Sequence, residues 1–381
     1  MNDRSQVFIV TGEPSGDLHA SLLAEELSTA GRVAITAVGG NRLRSVGADI
    51  FIDSSGWGAV GAPAALRNLP TYWLGLRKTA ARLLAQPPDL LVLVDFGAFN
   101  MRLLKRLGAQ RRGKSFYFFP PGSWSRKPRD FSDLARLTDC VATPFPWSEA
   151  LLRQQGVNAH CVGHPVMDRV KPVADVGALR LELGVPEAAF CLGLLPGSRR
   201  IERRLLGPQM IGAAAQLSRR YPALHVLFSP PPSAAGGTDS NVNLGHLGER
   251  VTVVAESFKI MQAADLIITA FGTATLEAAA ALCPMIAIYR GTQAMWLQLR
   301  LMKLGTDLFA MPNIIASEQV VPETIAPEQT NAEGLAAMVA ELIENEAARL
   351  AIKDRLAAVR EMLGPPGAAK RAAELALSIM A

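Results

Sequence analysis

The stretch Leu266–Glu277, LIITAFGTATLE, has the pattern that decides the fold. An apolar, β-branched run predicts a short strand, Phe271 and Gly272 predict a turn, and the residues after them predict a helix. Similar strand patterns, separated by helical patterns, recur along the chain as VFIVTG, VAITAVGG, DLLVLVDF, KSFYFFPPG, FCLGLLPGS, ALHVLFSP and PMIAIYR. Continuous apolar strands that alternate with helices are typical of a parallel sheet covered on both faces.

The length of 381 residues predicts two domains, at roughly 150 residues each. Residues 167–187 are polar and contain prolines, and after them the strand pattern restarts. We therefore predict an N-terminal domain over residues 1–168, a second domain over 169–350, and a helical segment over 351–381 that packs back on the first domain. The fold class is α/β, with two Rossmann-like, doubly wound parallel sheets that face each other across a cleft.

The composition narrows the functional class. Half of the residues are apolar (49%), and the net charge of +5 is spread along the chain, which favours an anionic small molecule or membrane surface over nucleic acid. The four cysteines have no paired spacing and are expected to be reduced thiols of a cytosolic protein. No signal-peptide pattern and no membrane-spanning run is present. We expect a cytoplasmic protein that at most lies on a membrane.

The helix after Gly272 favours an anion. Thr273 is expected to cap this helix, which leaves backbone N–H groups at its start open to a negatively charged ligand. The lysine of a phosphate-binding P-loop is absent. Glu277 lies one residue beyond the capping-box position, so it either accepts hydrogen bonds from sugar hydroxyls or complements the helix dipole.

A second anion-binding element follows the strand that ends at Leu195. In the stretch LLPGSRRIE, Gly197 and Ser198 predict a tight turn, and Arg199 is placed to bind a phosphate by two hydrogen bonds. The alternative is an ordinary surface arginine. Simple solvation is the better interpretation for the arginines that follow, Arg200, Arg203 and Arg204.

The first strand also leads through glycines into a helix, in the stretch FIVTGEPSGDLHA. Glu13 and Asp17 place negative charge at the helix start, which argues against phosphate and for a ligand with hydroxyl or amide groups. Gly16 permits close approach of the backbone. His19 could reach the cleft as well, but a histidine on the helix surface without a role is the more common interpretation.

Asp95 ends the apolar strand of LLVLVDF and is the candidate general base. A partly desolvated carboxylate has a raised pKa, which suits proton abstraction near neutral pH. The alternative is a structural aspartate that caps the helix near Asn100. No HExxH, DxD, Cys/His or GxSxG pattern is present, so we expect no metal and no cofactor.

Six segments together resemble the lipid-A-disaccharide synthase family, in the same order and over nearly the whole chain: GEPSGDLHA, VDFGAFN, PFPWSEALLRQQGVNAHCVGHP, LLPGSRRIE, the stretch from Gly272 to Arg290, and MPNIIASEQVVPE. The resemblance implies a GT-B glycosyltransferase that joins UDP-2,3-diacylglucosamine to 2,3-diacylglucosamine 1-phosphate (lipid X) and releases UDP. It also implies a cytoplasmic enzyme bound peripherally to the inner membrane.

The resemblance assigns roles to residues. Asp95 is the base, Arg199 and the helix start stabilise the diphosphate without a metal, and Glu277 holds the ribose or the donor sugar. The implied donor-site residues are Gly197, Ser198, Arg199, Gly272, Thr273, Ala274, Thr275, Glu277 and Asn313. The implied acceptor-side residues are Glu13, Ser15, Gly16, Asp17, Asn100 and Arg126.

The chain departs from the family pattern at several positions. Gly97 to Phe99 stand where the family has a segment with a second acidic residue, and Ala64 stands where the family has a glutamate. The tryptophan of a family motif is shifted to Trp124, and Phe271 stands where the family has serine. Three alternatives therefore stay open: a GT-B transferase acting on another acylated or lipid-linked sugar, an enzyme resembling a UDP-GlcNAc epimerase, and a non-catalytic paralogue that binds a UDP-sugar or lipid.

Two stretches have the composition of interfacial helices. Residues 71–84 contain Trp73, and residues 295–305 contain Trp296, each with leucines and basic residues. The basic residues are Arg77, Lys78, Arg300 and Lys303. These apolar faces equally suit a core or a dimer interface, so a homodimer is left open.

Overall fold

The computed structural model describes residues 4–57, 62–127, 129–170, 173–230, 244–245, 247–290 and 308–380, with residues 62–68 as backbone alone. The chain divides into two compact units. The first contains residues 1–169 and 363–381, and the second contains residues 170–362. Each unit has one parallel sheet with helices on both faces, as the alternating sequence pattern predicts.

The sheet of the first unit has seven parallel strands. They are β1 (Ser5–Val10), β2 (Val33–Gly39), β3 (Asp49–Asp53), β4 (Leu90–Val94), β5 (Lys114–Phe118), β6 (Cys140–Thr143) and β7 (Ala159–Cys161). Their order across the sheet is β3-β2-β1-β4-β5-β6-β7, so the direction of winding reverses between β1 and β4. In such sheets, ligands bind outside the carboxyl ends of the strands at this switch point.

The helices of the first unit cover two separate cores. They are α1 (Pro14–Ala30), α2 (Asn41–Ser45), α3 (Ala62–Ala85), α4 (Gly97–Leu107), α5 (Ser132–Leu137), α6 (Pro146–Arg153) and α7 (Val166–Arg169). One core contains Ile9 and Val92 with residues of α1, and the other contains Phe8 and Leu93 with residues of α3 and α4. All five residues of β4 are buried, because both faces of the sheet are covered.

The second unit has a six-stranded parallel sheet. Its strands are β8 (Phe190–Leu195), β9 (Leu224–Phe228), β10 (Val251–Val253), β11 (Leu266–Ala270), β12 (Met285–Ile288) and β13 (Glu323–Thr324). The order is β10-β9-β8-β11-β12-β13, and its switch point lies between β8 and β11. Its helices are α8 (Val176–Glu182), α9 (Arg200–Arg220), α10 (Ser257–Ala263), α11 (Thr273–Ala280), α12 (Met311–Ala316), α13 (Ala332–Glu344) and α14 (Glu346–Met362).

The C-terminal segment is shared between the units. Residues 351–362 lie in α14 and belong to the second unit, so the boundary expected at residue 351 moves to residue 363. The reason is that Ile352 and Leu356 are buried there. The last helix, α15 (Ala368–Ser378), packs on α1 in the first unit through a buried face of alanines. The carboxylate of Asp168 accepts backbone N–H groups at its start.

None of the described helices is long and apolar enough to cross a membrane. Of the two interfacial stretches, residues 71–84 lie in α3. Residues 295–305, with Trp296, Arg300 and Lys303, lie outside the described residues, as does the side chain of Ala64.

Candidate active site

The candidate residues lie after the two central strands of each sheet. In the first unit, Glu13 follows β1 and Asp95 follows β4, the strands that flank the switch point. In the second unit, Arg199 follows β8 and Gly272 follows β11, again at the switch point. Both sets therefore occupy the edge at which doubly wound sheets bind their ligands.

Asp95 has an unusual backbone conformation. Asp95 and Phe96 both have left-handed φ angles, of 48° and 47°, which are unfavourable for residues with a side chain. Helix α4 begins at Gly97, and the residue at its cap position is Phe96, not Asp95. The alternative interpretation, in which Asp95 caps this helix, is therefore wrong.

Two side chains hold the strained turn. The carbonyl oxygen of Asp95 accepts hydrogen bonds from Nδ2 of Asn100 at 2.8 Å and from the hydroxyl of Tyr117 at 2.9 Å. The ring of Phe96 packs against Gly12, where a Cβ would come within 2.3 Å of it. Asn100 is fully buried, so its amide binds backbone atoms of the turn. Tyr117 was not predicted from the sequence, because it lies in an apolar strand 22 residues away.

The electrostatic environment of Asp95 suits a base. Burial, followed by the negative charge of Glu13, raises the pKa of Asp95 to about 6. A raised pKa of Asp95 is the direction that the sequence predicts. No basic side chain forms an ion pair with Asp95 among the ion pairs of the described residues. A carboxylate with this pKa is ionised at neutral pH and accepts a proton more readily than an ordinary aspartate.

The start of α1 lies beside Asp95. Gly16 is in the first turn, and a Cβ on it would lie 3.6 Å from the Cβ of Asp95 and 2.2 Å from Oγ1 of Thr11. A larger residue at Gly16 would collide with the Thr11 side chain. Glu13 and Ser15 are half-buried next to this contact. They are the accessible polar groups at this end of α1.

Asp17 has a structural contact that the sequence did not reveal. It is buried, and its carboxylate oxygens accept the backbone N–H groups of Gly40, at 2.7 Å, and Arg42, at 3.0 Å. These groups lie at the start of α2, so Asp17 ties α1 to the turn after β2. In the structure, Asp17 therefore acts as a supporting residue.

His19 is buried, and its interpretation as a surface histidine is wrong. Its ring centroid lies 5.2 Å from that of Phe119 and 5.5 Å from that of His164. Burial first, and then the positive charges of Arg169 and Arg42, lower the pKa of His19 to about 4. The imidazole is therefore neutral at physiological pH and does not act as a cation in the site.

Arg126 is an exposed residue of the loop after β5. Its guanidinium carbon lies 3.8 Å from the centroid of the Trp147 ring, in a cation–π contact. Trp147 in turn stacks on the buried Phe145, with ring centroids 4.4 Å apart. Arg126 is thus placed over a fixed aromatic surface, and Trp124 beside it is 41% exposed.

In the second unit, Glu202 orients the arginine of the turn after β8. One guanidinium nitrogen of Arg199 donates to Glu202 at 2.9 Å, and the backbone N–H of Arg199 donates to the same carboxylate at 3.2 Å. Glu202 is buried, whereas 41% of the Arg199 side chain is exposed. Glu202 was not predicted as a site residue, although its position three residues after the cap is a recognisable signal.

The backbone of this turn requires glycine. Gly197 has φ of 103°, and a Cβ on it would lie 2.4 Å from Oε2 of Glu202. The carbonyl of Ser198 accepts a hydrogen bond from Arg203. Arg203 therefore contacts the turn and is not simply solvated as expected.

The turn after β11 presents two open N–H groups. Helix α11 begins at Thr273, and its N-cap is Gly272, with φ of 126° and no side-chain hydrogen bond. The expectation that Thr273 caps the helix is wrong, because only glycine adopts this conformation readily. The hydroxyl of Thr275 donates to the carbonyl of Gly272 at 2.8 Å. The N–H groups of Thr273 and Ala274 form no hydrogen bond within the described residues.

Two further donor-site candidates are buried. Glu277 lies in the second turn of α11 and is 8% exposed. Asn313 is fully buried, and its oxygen accepts the N–H groups of Val320 and Val321, at 2.8 and 2.9 Å. Its Nδ2 donates to the carbonyl of Val321 at 3.0 Å. Asn313 therefore holds the segment that leads into β13.

Phe271, which stands where the resemblance places serine, lies between two parallel aromatic rings. Its centroid is 6.1 Å from that of Tyr289 and 5.8 Å from that of Phe309, with interplanar angles of 8° and 6°. These residues follow β12 and precede α12. The stack fixes the residue immediately before Gly272, which explains a phenylalanine at this position.

The described residues contain no group of three or more histidine, cysteine, aspartate or glutamate side chains arranged to hold a metal ion. All four cysteines are free thiols. Three of them, Cys140, Cys191 and Cys283, are buried.

Comparison with known proteins identifies the family. The model of the lipid-A-disaccharide synthetase family matches residues 7–379. The chain belongs to this family. A lipid-A-disaccharide synthase from Geobacter sulfurreducens is 33% identical over 383 residues, covering 100% of this chain and 98% of the relative. Another, from Myxococcus xanthus, is 32% identical and covers 100% of this chain and 99% of its own length.

Solved structures of other proteins share the fold of this lipid-A-disaccharide synthase. A putative UDP-N-acetylglucosamine 2-epimerase from Listeria monocytogenes superposes with a TM-score of 0.61 at 14% identity, covering 99% of this chain and 96% of the other. The glycosyltransferase of kitacinnamycin superposes with a TM-score of 0.60 at 16% identity, covering 99% and 100%. The predicted family and the predicted GT-B fold are confirmed. The protein is a hexosyltransferase of lipid A disaccharide synthesis.

Proposed function

We propose that this synthase is an inverting glycosyltransferase that condenses UDP-2,3-diacylglucosamine with lipid X to give the β-1,6-linked disaccharide 1-phosphate and UDP. The observation that carries the proposal is the Asp95 carboxylate. It lies at the switch point of the first sheet, and its pKa is raised to about 6 by burial and by Glu13. Membership in the family supplies the substrate class.

The proposed reaction needs one base. The carboxylate of Asp95 accepts the proton of the acceptor's 6-hydroxyl while the oxygen of this hydroxyl attacks the anomeric carbon of the donor. The bond between this carbon and the UDP oxygen breaks on the opposite face, so the configuration inverts. UDP leaves as a stable anion, and for this reason no second carboxylic acid is required, unlike in an inverting glycosidase.

The second unit is proposed to bind the diphosphate of UDP. Arg199, oriented by the buried Glu202, supplies a cation, and the N–H groups of Thr273 and Ala274 supply two further donors. These groups oppose the negative charge that develops on the leaving UDP. The charge balance in this proposal uses residues of the chain and no metal.

Glu277 is proposed to bind hydroxyls of the ribose or the donor sugar, one turn into α11. Thr275 and Asn313 act indirectly. Thr275 Oγ accepts the N–H of Met311 at 3.3 Å, and Asn313 holds the segment before β13. Together they fix the walls of the donor site.

The acceptor is proposed to bind in the first unit. Glu13 and Ser15 offer hydrogen-bond acceptors beside Asp95, and Gly16 gives the sugar access to the start of α1. Arg126, supported by the ring of Trp147, is proposed to bind the 1-phosphate of lipid X. Asp17 and Asn100 support these groups through the backbone.

Peripheral attachment to the cytoplasmic face of the inner membrane is proposed through α3. Leu69, Trp73 and Leu74 are 54%, 57% and 49% exposed, and the guanidinium of Arg77 lies 4.5 Å from the centroid of the Trp73 ring. Exposed apolar residues with adjacent cations are typical of interfacial helices. Flotation with anionic vesicles tests this proposal: Trp73→Ser should reduce vesicle binding, whereas undiminished binding with an altered oligomeric state would assign the surface to a dimer.

The catalytic proposal is tested by incubating the purified protein with UDP-2,3-diacylglucosamine and lipid X. Disaccharide 1-phosphate and UDP in equal amounts are the expected products. Turnover of UDP-GlcNAc alone would favour an epimerase. Binding of the substrates with no product would indicate a non-catalytic paralogue.

A further inference from the structure

The turn that carries Asp95 stores backbone strain. Two consecutive residues with side chains, Asp95 and Phe96, have φ angles of 48° and 47°. Left-handed conformations of this kind are unfavourable for residues with a side chain and persist only where the surrounding structure holds them. The interactions that hold this turn therefore control the position of the carboxylate.

Tyr117 is placed to hold it. It lies on β5, opposite Leu93 of β4, and is fully buried. Its hydroxyl passes beyond the end of β4 and donates to the carbonyl oxygen of Asp95 at 2.9 Å. The N–H of Asp95 donates to the carbonyl of Phe118 at 3.0 Å, so β5 binds both backbone polar groups of the residue.

Asn100, which lies on α4, also holds the backbone of Asp95. Its Nδ2 donates to the same Asp95 carbonyl at 2.8 Å. A carbonyl oxygen has two lone pairs, and here one is used by α4 and the other by β5. If this peptide group rotates toward the extended conformation, the Tyr117 hydroxyl loses this acceptor, and Asn100 keeps only its longer contacts to the carbonyls of Val94 and Val10, at 3.4 and 3.5 Å.

We infer that Tyr117 is a positioning residue for catalysis: its hydroxyl, together with the amide of Asn100, keeps Asp95 in the left-handed conformation that places the carboxylate beside the start of α1. The inference rests on the proposed role of Asp95 as the base. It explains why a tyrosine hydroxyl is buried in the apolar core of the first sheet. It also gives Asn100 its role as the second donor.

Tyr117→Phe is the direct test, because it removes one hydroxyl and keeps the ring. Without this anchor, Asp95 relaxes away from Glu13 into a more hydrated position. We expect kcat to fall roughly tenfold, the loss of about one buried hydrogen bond, while KM for the donor changes less than about twofold. The acidic limb of the kcat profile should move to lower pH, because better hydration lowers the pKa of the carboxylate.

Ser115→Ala is the matched control. Ser115 lies on the same strand and is fully buried, but its hydroxyl donates to the carboxylate of Asp139, at 2.8 Å, at the other end of β5. This variant also loses a buried hydroxyl, so it should lose stability similarly and keep the wild-type kcat and pH profile. If Tyr117→Phe also keeps both, Tyr117 serves stability alone and the inference is wrong.

A readout without substrate separates this inference from the proposed reaction. The carbonyl stretch of protonated Asp95, identified by its loss in Asp95→Asn, can be titrated by infrared difference spectroscopy. We expect a lower pKa in Tyr117→Phe than in the wild type. An unchanged titration contradicts the positioning role even if the enzyme is active, and a wild type that makes no disaccharide contradicts the proposed reaction even if the titration shifts.

Discussion

The turns after β4 and after β11 occupy equivalent places in the two sheets and have opposite chemistry. Each follows a buried strand beside the switch point and leads directly into a helix. After β11, the positive φ is at Gly272, where it costs little, and the turn presents backbone N–H groups. After β4, the positive φ angles are at Asp95 and Phe96, and the turn presents a carboxylate.

In the proposed reaction, one supersecondary unit serves two functions. The glycine turn adopts its positive φ at little conformational cost and opens a helix start to an anion, and Arg199 is proposed to add a cation to it. The aspartate turn is strained and needs hydrogen bonds from Tyr117 and Asn100. In the proposed reaction, the unstrained turn binds the charge of the diphosphate, and the strained turn holds the base in one position.

Asp95→Asn should have the largest effect. The amide cannot accept the acceptor's proton, so kcat should fall by about a thousandfold, within the usual range for loss of a general base. Disaccharide formation measured at saturating substrates checks this result. Asp89→Asn changes a carboxylate next to the amino end of the same strand, where it accepts the N–H of Gln6 at 2.7 Å, and should leave kcat unchanged. A variant of Asp95 that keeps a tenth of the activity would exclude it as the base.

Arg199→Ala should have the next largest effect. Loss of a charge-assisted contact to the diphosphate should raise KM for the donor by about 10- to 100-fold. Steady-state kinetics with varied donor concentration measures the change. Arg204→Ala removes an exposed arginine of the same helix and serves as the control. Equal KM values for the donor in Arg199→Ala and Arg204→Ala would show that Arg199 does not bind the phosphates.

The pH profile should follow the ionisation of Asp95. Since the base acts as the anion, kcat should fall as the pH decreases through about 6, the raised pKa of this group. Glu13→Gln removes a negative neighbour, so the acidic limb should move to lower pH by less than about one unit, because burial is the larger cause. A limb that moves upward, or that stays in place in Glu13→Gln, would contradict this coupling.

The raised pKa of Asp95 also predicts that the stability of the fold decreases as the pH increases, whereas kcat increases. The folded protein binds the proton of Asp95 more tightly than the unfolded chain does, so the fold loses stability as the pH rises from the ordinary pKa of 3.8 to about 6, and the loss stays constant at higher pH. Asp95→Asn should therefore have a melting temperature at pH 8 at least equal to that of the wild type. A lower melting temperature would mean that the ionised carboxylate stabilises the turn.

Phe271→Ser, which introduces the residue expected from the family pattern, should have the smallest effect. The parallel contacts with Tyr289 and Phe309 would be lost, at about 0.5–1.5 kcal/mol for an aromatic pair. We expect UDP affinity to decrease about fivefold through a looser Gly272 turn. Phe271→Tyr should retain it. Wild-type affinity in the serine variant would mean that the stack supports stability alone.

The sequence predicted the elements that depend on local pattern. Apolar runs placed the strands, and a charge at the end of such a run placed Asp95 at the edge of the sheet. The contacts that depend on distant partners were not predictable. Asp17 binds backbone atoms 23 and 25 residues away, and His19 is covered by Phe119 and His164. The left-handed pair at Asp95 and Phe96 has no local signal, because neither residue is glycine.

The central claim is that the turn after β11 binds the diphosphate and the turn after β4 holds the base. UDP binding to two variants tests this claim most directly. Titration calorimetry of UDP with Asp95→Asn and Arg199→Ala, at the same pH, compares one residue from each turn. We predict that Asp95→Asn binds UDP with wild-type affinity, because its turn acts on the acceptor, and that Arg199→Ala binds it about 10- to 100-fold more weakly. Equal weakening of UDP binding in both variants, or wild-type affinity in Arg199→Ala, would contradict the account.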